Sequence, residues 1–257
     1  IGWIEPLHEL ESIMTKLTHF IVTTLVSCVW ACGEADDEPD SPVSESMFEA
    51  VLPDLETPIR IQVIGDSHLA WNDKNSTGDQ VSTVLDERGI VHTLVNRAVG
   101  GSTLGCGELG IGSADNCIPP QLENGPWTHL VLSGGGNDFL ESGCSAEVDS
   151  LMSADLRAGL MTELVERGQR SGARVIIVGY VTPQNPDGEA GSCSRIHELL
   201  DRYQRYAFVN DGVAYVAGRQ IIRPSQPADY DDDIHTSVRG SRRLAEAIAD
   251  LIASEMP

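Results

Sequence analysis

Short apolar runs of strand length alternate with longer stretches of helical periodicity over most of the chain. The apolar runs are rich in valine and isoleucine and end at glycine or polar residues, as is typical of buried strands. Helical spacing of apolar residues predicts helices between these runs and a last helix that Ser237 is suited to cap. The predicted strands are residues 61–64, 91–95, 129–132, 174–181 and 213–216, and the predicted helices are residues 77–88, 151–170, 194–206 and the segment after Ser237.

Strands that alternate with helices imply right-handed crossovers and a parallel sheet covered by helices on both faces. The predicted fold class is therefore α/β, as three α/β/α layers around a flavodoxin-like parallel sheet of about five strands. Ligands bind at the carboxyl ends of the strands in such sheets. Because several glycine-rich segments follow the predicted strands, we expect a functional site at that edge.

Composition divides the chain into three parts, of which residues 58–257 form the predicted catalytic domain. Residues 1–32 contain an upstream stretch and then, from Met14, a segment with one lysine and a mostly apolar run, which has the length of a signal peptide and is too short to span a bilayer. Cys28 and Cys32 both lie in settings that resemble a bacterial lipobox, and a buried N-terminal helix is the alternative. Residues 33–57 contain many Asp and Glu residues and no Lys or Arg, which predicts an acidic flexible linker.

These features predict an exported protein, either secreted or held at the periplasmic or cell-surface side of a membrane through an acylated cysteine. The net charge of -22 argues against a nucleic-acid partner, because binding to a phosphate backbone needs a basic patch. The acidic surface is interpreted as well solvated rather than as a cation-binding site.

Two patterns that suggest a cofactor or a metal are rejected. The segment from Gly105 to Gly110 matches a dinucleotide-binding pattern, but the residues that follow predict no helix whose N-terminus could bind a pyrophosphate. The adjacent carboxylates at residues 231–233 lie near His235, but no second group with metal-ligand spacing is evident. We therefore expect neither a cofactor nor a metal.

The segment Gly65-Asp66-Ser67 lies where the first predicted strand turns into a helix. A helix N-terminus offers unpaired N–H groups and a partial positive charge, which favour an anion forming there. This is a suitable position for a serine nucleophile, provided that another part of the chain supplies a base. Asp66 is expected to hold the turn, and His68 has no predicted role beyond its place in the first helical turn.

Four separated blocks lie mostly at predicted strand ends or helix starts, namely Gly65-Asp66-Ser67, Gly101 within residues 99–103, Gly135-Gly136-Asn137-Asp138 and Asp232-Asp233-Ile234-His235. They occur in the order found in the SGNH (GDSL-type) hydrolase family, which the chain resembles. Each block is weak alone, but their order across the whole domain and their positions make the match specific. The resemblance implies a serine esterase that cleaves a small-molecule carboxylic ester.

The resemblance implies that Ser67 is the nucleophile, His235 the base and Asp232 the carboxylate that orients the imidazole. Asp231 and Asp233 are interpreted as solvated neighbours, although either could compete with Asp232 for the imidazole.

The resemblance also implies an oxyanion hole formed by the backbone N–H groups of Ser67 and Gly101 and by the side-chain amide of Asn137. A double glycine leaves the register open by one residue, so Gly100 is an alternative to Gly101 as a donor. Asn137 could also be a turn residue that satisfies its own backbone.

Four cysteines remain in the predicted domain, and export would bring them into an oxidising compartment. Of the three possible pairings, we favour Cys106 with Cys117 within one loop and Cys144 with Cys193 between loops at neighbouring strand ends. Free buried thiols are the alternative.

The predicted substrates are short-chain or acetyl esters, which include acetylated carbohydrates, cleaved through an acyl-enzyme on Ser67. Loops at residues 104–123 and 182–192 are expected to shape the pocket. A lysophospholipase, a thioesterase and a cell-surface binding lipoprotein that keeps the fold without turnover are the alternatives.

Overall fold

The computed structural model describes residues 58–107 and 116–254, and within these ranges five strands form one sheet. The predicted signal peptide, the lipobox at Cys28 or Cys32 and the acidic linker lie outside the described residues. The strands are β1 (Ile59–Ile64), β2 (His92–Asn96), β3 (His129–Leu132), β4 (Arg174–Val178) and β5 (Val213–Val216).

The helices of the described residues fall between and after the strands, with three short 3-10 helices at Asp73–Asn75, Pro119–Gln121 and Pro227–Asp229. None of them is both long enough and apolar enough to cross a bilayer. The α-helices are α1 (Ser67–Ala70), α2 (Thr77–Glu87), α3 (Gly136–Glu141), α4 (Val148–Leu151), α5 (Leu160–Arg170), α6 (Glu189–Ser192), α7 (Ser194–Val209), α8 (Gly218–Ile221) and α9 (Val238–Ser254).

All neighbouring strands are parallel, and their order is β2-β1-β3-β4-β5. This order confirms the predicted flavodoxin-like sheet. The chain runs from β1 outward to β2 and then returns to β3 on the other side of β1, so the direction of winding reverses between β1 and β3. Ligands bind at such a switch point, beyond the carboxyl ends of the two strands. Ser67 follows β1 and Asn137 follows β3, which places both residues at this position.

Alternate residues of the central strands pack into two apolar layers, one on each face of the sheet. Leu130 and Leu132 of β3 belong to the layer that contains α5 and α7, whereas Val131 belongs to the layer that contains α2 and α9. These strand residues are at most 1% exposed, as expected for a parallel sheet covered on both faces. The three-layer α/β/α prediction is therefore confirmed.

The predicted helix at residues 151–170 is wrong in its first half, because residues 152–159 leave the helical path between α4 and α5. The Ser153 hydroxyl accepts hydrogen bonds from the N–H groups of Arg157 and Ala158, at 3.1 and 3.0 Å. Gly159 has a φ of +113°, and a Cβ there would lie 2.6 Å from the main chain of Leu151. The leucines whose spacing predicted one helix therefore belong to two helices and to the packed turn that joins them.

Ser237 precedes α9 and accepts a hydrogen bond from the Gly240 N–H at 3.3 Å, as predicted for a helix cap. Both predicted disulfides are also confirmed. Cys106 pairs with Cys117 and Cys144 pairs with Cys193, with Cα–Cα distances of 5.0 and 5.7 Å.

Candidate active site

The turn from β1 to α1 fixes the position of Ser67. Gly65 has a φ of +150°, and a Cβ there would lie 2.6 Å from the Ser133 carbonyl oxygen, so the turn requires glycine. Asp66 caps α1 and accepts a hydrogen bond from the His68 N–H at 3.0 Å. Ser67 is the first residue of α1, and its hydroxyl therefore lies at the carboxyl edge of the sheet.

Ser67, His235 and Asp232 form one hydrogen-bonded chain, although Ser67 and His235 are 168 residues apart. His235 Nε2 lies 2.9 Å from Ser67 Oγ, and His235 Nδ1 lies 2.7 Å from Asp232 Oδ2. A carboxylate can only accept, so the proton of a neutral imidazole is held on Nδ1. Nε2 is then free to accept the proton of the serine hydroxyl.

Asp232 is held by its own turn. Its Oδ1 accepts the backbone N–H groups of Ile234 and His235 at 2.8 and 2.7 Å. Partial burial alone would raise the pKa of Asp232, but these bonds and the bond from the His235 side chain outweigh burial and lower that pKa. The carboxylate therefore stays ionised opposite His235.

The two neighbouring aspartates make other contacts. The Asp231 carboxylate accepts the indole N–H of Trp71 at 2.9 Å, and the Asp233 carbonyl accepts the Gln184 N–H at 2.8 Å. Of residues 231–233, Asp232 is the one whose carboxylate meets the imidazole.

Trp71 supports the imidazole in a way that the sequence did not predict. Its ring stacks on that of His235 with a centroid distance of 3.8 Å and an interplanar angle of 6°. The bond to Asp231 fixes the indole, and Asp231 in turn donates its backbone N–H to the His235 carbonyl at 3.0 Å. A flat ring packed over the imidazole limits its rotation and so helps to hold it in line with Ser67 and Asp232.

Asn137 and Ser67 line the same cavity, and the Asn137 amide donates one hydrogen bond to the Ser102 carbonyl at 2.9 Å. An amide nitrogen has two N–H groups, so the second remains available to an oxyanion. Neither Gly100 nor Gly101 lines this cavity. Gly100 lies against the nucleophile, since a Cβ there would be 3.7 Å from Ser67 Cβ, whereas Gly101 has a φ of +77° and lies against Asn116. The two glycines thus remain alternatives for the third donor.

A buried hydroxyl connects the two halves of the site. Tyr180 Oη donates to the Asp66 carboxylate and accepts the Gly136 N–H at 2.7 Å, which ties the nucleophile turn to the start of α3. Burial raises the pKa of Asp66 to about 6, although the bonds from Tyr180 and the His68 N–H act in the opposite direction. Burial also raises the pKa of Tyr180 well above its ordinary value of 10.

The Asp138 side chain fixes the segment that follows the glycine pair Gly100-Gly101. Its two carboxylate oxygens accept the N–H groups of Leu104 and Gly105 at 3.0 and 2.8 Å. Burial raises the pKa of Asp138, and these two bonds lower it in part. The carboxylate thereby holds the segment that follows Gly101 against α3.

A narrow cavity with a volume of about 60 Å³ opens beside Ser67. The predicted loop at residues 182–192 contributes Thr182, Pro183 and Ala190 to its walls, whereas the described residues of the 104–123 loop do not line it. The exposed area of the lining is mostly apolar, and its aliphatic side chains include Leu140, Val181, Ile196, Leu200 and Ile234. No group of three or more His, Cys, Asp or Glu side chains within residues 58–107 and 116–254 could hold a metal ion.

The model of the GDSL-like lipase/acylhydrolase family matches residues 63–243, which is more than half of the chain. The chain belongs to this family. Membership confirms the predicted class of enzyme, a GDSL-type serine ester hydrolase, and a small-molecule ester as its type of substrate.

Solved structures show the same fold at low sequence identity. An aryl esterase from M. smegmatis has a TM-score of 0.57 at 17% identity, over 77% of this chain and 100% of that chain. A carbohydrate acetylesterase from Sinorhizobium meliloti has a TM-score of 0.56 at 18% identity, over 77% and 100% of the two chains. TesA has a TM-score of 0.56 at 21% identity, over 77% and 99%. No curated protein sequence matched the chain.

Proposed function

We propose that this GDSL-type hydrolase cleaves short-chain carboxylic esters, acetyl esters included, through an acyl-enzyme on Ser67. The observation that carries the proposal is the continuous chain from Ser67 Oγ through the His235 imidazole to the Asp232 carboxylate, with distances of 2.9 and 2.7 Å. This arrangement matches the roles of nucleophile, base and orienting carboxylate in acyl transfer.

In the first half of the reaction, Ser67 Oγ attacks the ester carbonyl carbon while its proton moves to His235 Nε2. The tetrahedral oxyanion is stabilised by the N–H of Ser67, the free N–H of Asn137 and a glycine N–H from residue 100 or 101. Each such donor typically contributes roughly 3–4 kcal/mol to transition-state stabilisation. His235 then gives its proton to the departing alcohol, and the acyl group remains on Ser67.

In the second half, His235 takes a proton from water as the water oxygen attacks the acyl carbon. Collapse of the second tetrahedral intermediate breaks the bond to Ser67 Oγ, which takes its proton back from His235. The carboxylic acid leaves, and the free enzyme is restored without any other reactant.

The narrow and mostly apolar cavity supports a short acyl group over a long one. An acetylated carbohydrate fits the same scheme, because only its acetyl group has to enter the cavity. The similarity in fold to a carbohydrate acetylesterase is in keeping with this possibility. A long-chain lysophospholipid or thioester would need more room than this cavity offers.

The proposal predicts that p-nitrophenyl acetate and butyrate are hydrolysed faster than the octanoate, and that Ser67→Ala lowers kcat by about 10⁴-fold or more. Initial rates of wild type and variant on the three esters check both statements. Ser171→Ala is the control, because this serine lies after α5 and does not line the cavity. Equal rates for wild type and Ser67→Ala, or no activity in either, would favour a binding protein that keeps the fold.

A further inference from the structure

Tyr180 follows β4 and lines the active-site cavity, yet it has no part in the proton transfers described above. Its Oη donates to the Asp66 carboxylate and accepts the Gly136 N–H at 2.7 Å. Asp66 is the residue before Ser67, and Gly136 is the residue before Asn137. One hydroxyl therefore connects the residues that directly precede two of the proposed oxyanion donors.

The Asp66 carboxylate fixes the direction of this hydroxyl. Above its pKa of about 6 the carboxylate is mostly ionised and can only accept, so the single proton of Tyr180 Oη points towards it. The other Asp66 oxygen accepts the His68 N–H at 3.0 Å, which holds the carboxylate itself in place. A lone pair of Oη is thus left to face the Gly136 N–H.

Tyr180 caps the start of α3 from a distant part of the chain. The first N–H groups of a helix have no partner within the helix, and Gly135, which precedes α3, has no side chain that could supply one. Tyr180 Oη is the acceptor for the first of these N–H groups, that of Gly136. The ring also packs directly against Gly136, where a Cβ would lie 2.8 Å from Tyr180 Cζ. Hydroxyl and ring together set the position of the first turn of α3.

A second tyrosine holds the other end of the same glycine segment. Tyr203 is fully buried, and its Oη donates to the Gly134 carbonyl at 3.0 Å. Gly135 lies between the two contacts with a φ of +98°, and a Cβ there would lie 2.6 Å from Leu199 Cδ2. Tyr203 therefore fixes the segment where it leaves β3, and Tyr180 fixes it where it enters α3.

The aim of the Asn137 amide depends on this entry into α3, because Asn137 is the second residue of the helix. One amide N–H donates to the Ser102 carbonyl at 2.9 Å, and the other remains for the oxyanion. An oxyanion donor acts over a narrow range of distances, and a displacement of about 1 Å in an active site can cost about 10²-fold in rate. A small shift of the first turn of α3 is therefore expected to be visible in kcat.

We infer that Tyr180 is a positioning residue, whose hydroxyl holds the first turn of α3 against the Ser67 turn and so directs the free N–H of Asn137 at the oxyanion. The inference rests on the proposed esterase function. In this role Tyr180 transfers no proton, and its effect on the reaction passes through Asn137.

The test is a double-mutant cycle of Tyr180→Phe and Asn137→Ala on p-nitrophenyl acetate at pH 8. Tyr180→Phe keeps the ring but leaves the buried Gly136 N–H without its acceptor, so α3 has to shift for this group to find another. We expect kcat to fall by about 10²-fold with KM changed by less than about 3-fold, because the donor acts in the transition state. In the Asn137→Ala background, the same substitution should lower kcat by less than about 3-fold.

Two measurements separate this effect from a loss of folded protein. Rates are expressed per enzyme that a fluorophosphonate labels to completion at Ser67. Tyr206→Phe is the matched control, because it removes a hydroxyl from another tyrosine that is only 3% exposed and does not line the cavity, and we expect it to keep the wild-type kcat. Gly136→Ala disturbs the same contact from the side of α3, and it replaces Tyr180→Phe in the cycle if that variant does not fold.

An unchanged kcat in Tyr180→Phe would overturn the inference, and so would a rise in KM alone, which would indicate direct binding of substrate. An equal fall in kcat with and without Asn137 would also overturn it, since Tyr180 would then act by another route. These results leave the esterase proposal intact, provided that Ser67→Ala abolishes hydrolysis. If wild type hydrolyses no ester, the proposed function fails, and the inference fails with it.

Discussion

The Asp66 side chain is a carboxyl group that the fold removes from water and places beside Ser67. It is 1% exposed, and burial raises its pKa from 3.8 to about 6. Between these two values, the carboxyl is protonated in the folded protein and ionised in the unfolded chain. Unfolding then releases a proton, so the favourable contribution of protonated Asp66 is complete below about pH 4 and is lost as the pH rises through about 6.

We expect Asp66→Asn to remove this pH dependence. The free energy of unfolding of wild type relative to the variant should fall by about 2 kcal/mol between pH 4 and pH 7, because each unit of pKa difference corresponds to about 1.4 kcal/mol and part of the change already lies below pH 4. Urea unfolding of both proteins at several pH values measures the difference, in which the titration of other groups cancels. Parallel curves for the two proteins would contradict the prediction.

The sequence could predict the site residues that belong to short motifs. It could not predict the residues that support the site only through contacts made in the folded protein. Ser67, Asp232 and His235 stand in short patterns whose order is visible in the chain, and the structure brings them together. Trp71 and Tyr180 stand in no such pattern. An aromatic residue just after a helix or a strand is as typical of a core as of a site, and only the fold shows which ring stacks on the imidazole and which hydroxyl meets Asp66.

The disulfide between Cys144 and Cys193 connects two elements that build the cavity. Cys144 lies after α3, and Cys193 is the residue before α7. These helices supply Leu140 on one side of the cavity and Ile196 and Leu200 on the other. The covalent link therefore holds the two walls together across 49 residues of chain.

We expect the double variant Cys144→Ser with Cys193→Ser to lose about 3–4 kcal/mol of unfolding free energy, since a loop of 49 residues is no longer closed in the unfolded chain. The pair Cys106→Ser with Cys117→Ser is the comparison. Its loop spans 11 residues, and its loss should be smaller by about 1 kcal/mol. Guanidinium unfolding of the three proteins gives the ranking, and a larger loss for the shorter loop would contradict it.

Helices and strands whose apolar residues recur at a regular spacing could be predicted from the sequence, whereas a turn that depends on tertiary packing could not. β3 and β5 have the predicted bounds, and α2 ends one residue earlier than predicted. The break between α4 and α5 depends on the Ser153 hydroxyl and on the tight approach of Gly159 to Leu151. Neither contact changes the spacing of the leucines, so this spacing alone could not reveal the break between the two helices.

For the whole molecule, the alternation of strands and helices was sufficient to predict a parallel three-layer sheet, which the strand order confirms. The size of the cavity could not be predicted in this way. It depends on how closely α3, α7 and the 182–192 loop approach one another, and the spacing of residues along the chain does not contain these distances.

We propose that the protein is exported and anchored to a membrane through an acylated Cys28 or Cys32. The two disulfides favour export, because such bonds persist mainly in oxidising compartments. The sequence around residues 14–32 favours it as well.

Expression of the whole chain in a Gram-negative bacterium tests this proposal. We expect the protein in the membrane fraction, and we expect either Cys28→Ala or Cys32→Ala, but not both, to abolish labelling by radioactive palmitate. The unaffected variant then serves as the control. Wild-type protein found in the cytoplasm would contradict export, and unlabelled wild type in the periplasm would contradict the anchor.

Ser67 and His235, the proposed nucleophile and base, lie 168 residues apart, and His235 belongs to the last turn before α9. A ribosome therefore has to synthesise the chain as far as His235, 168 residues beyond Ser67, before this serine meets its proposed proton acceptor. During translation, and in any fragment truncated ahead of residue 235, Ser67 is an ordinary alcohol. Under the proposed mechanism, hydrolytic activity therefore appears only once the segment that carries His235 has joined the fold.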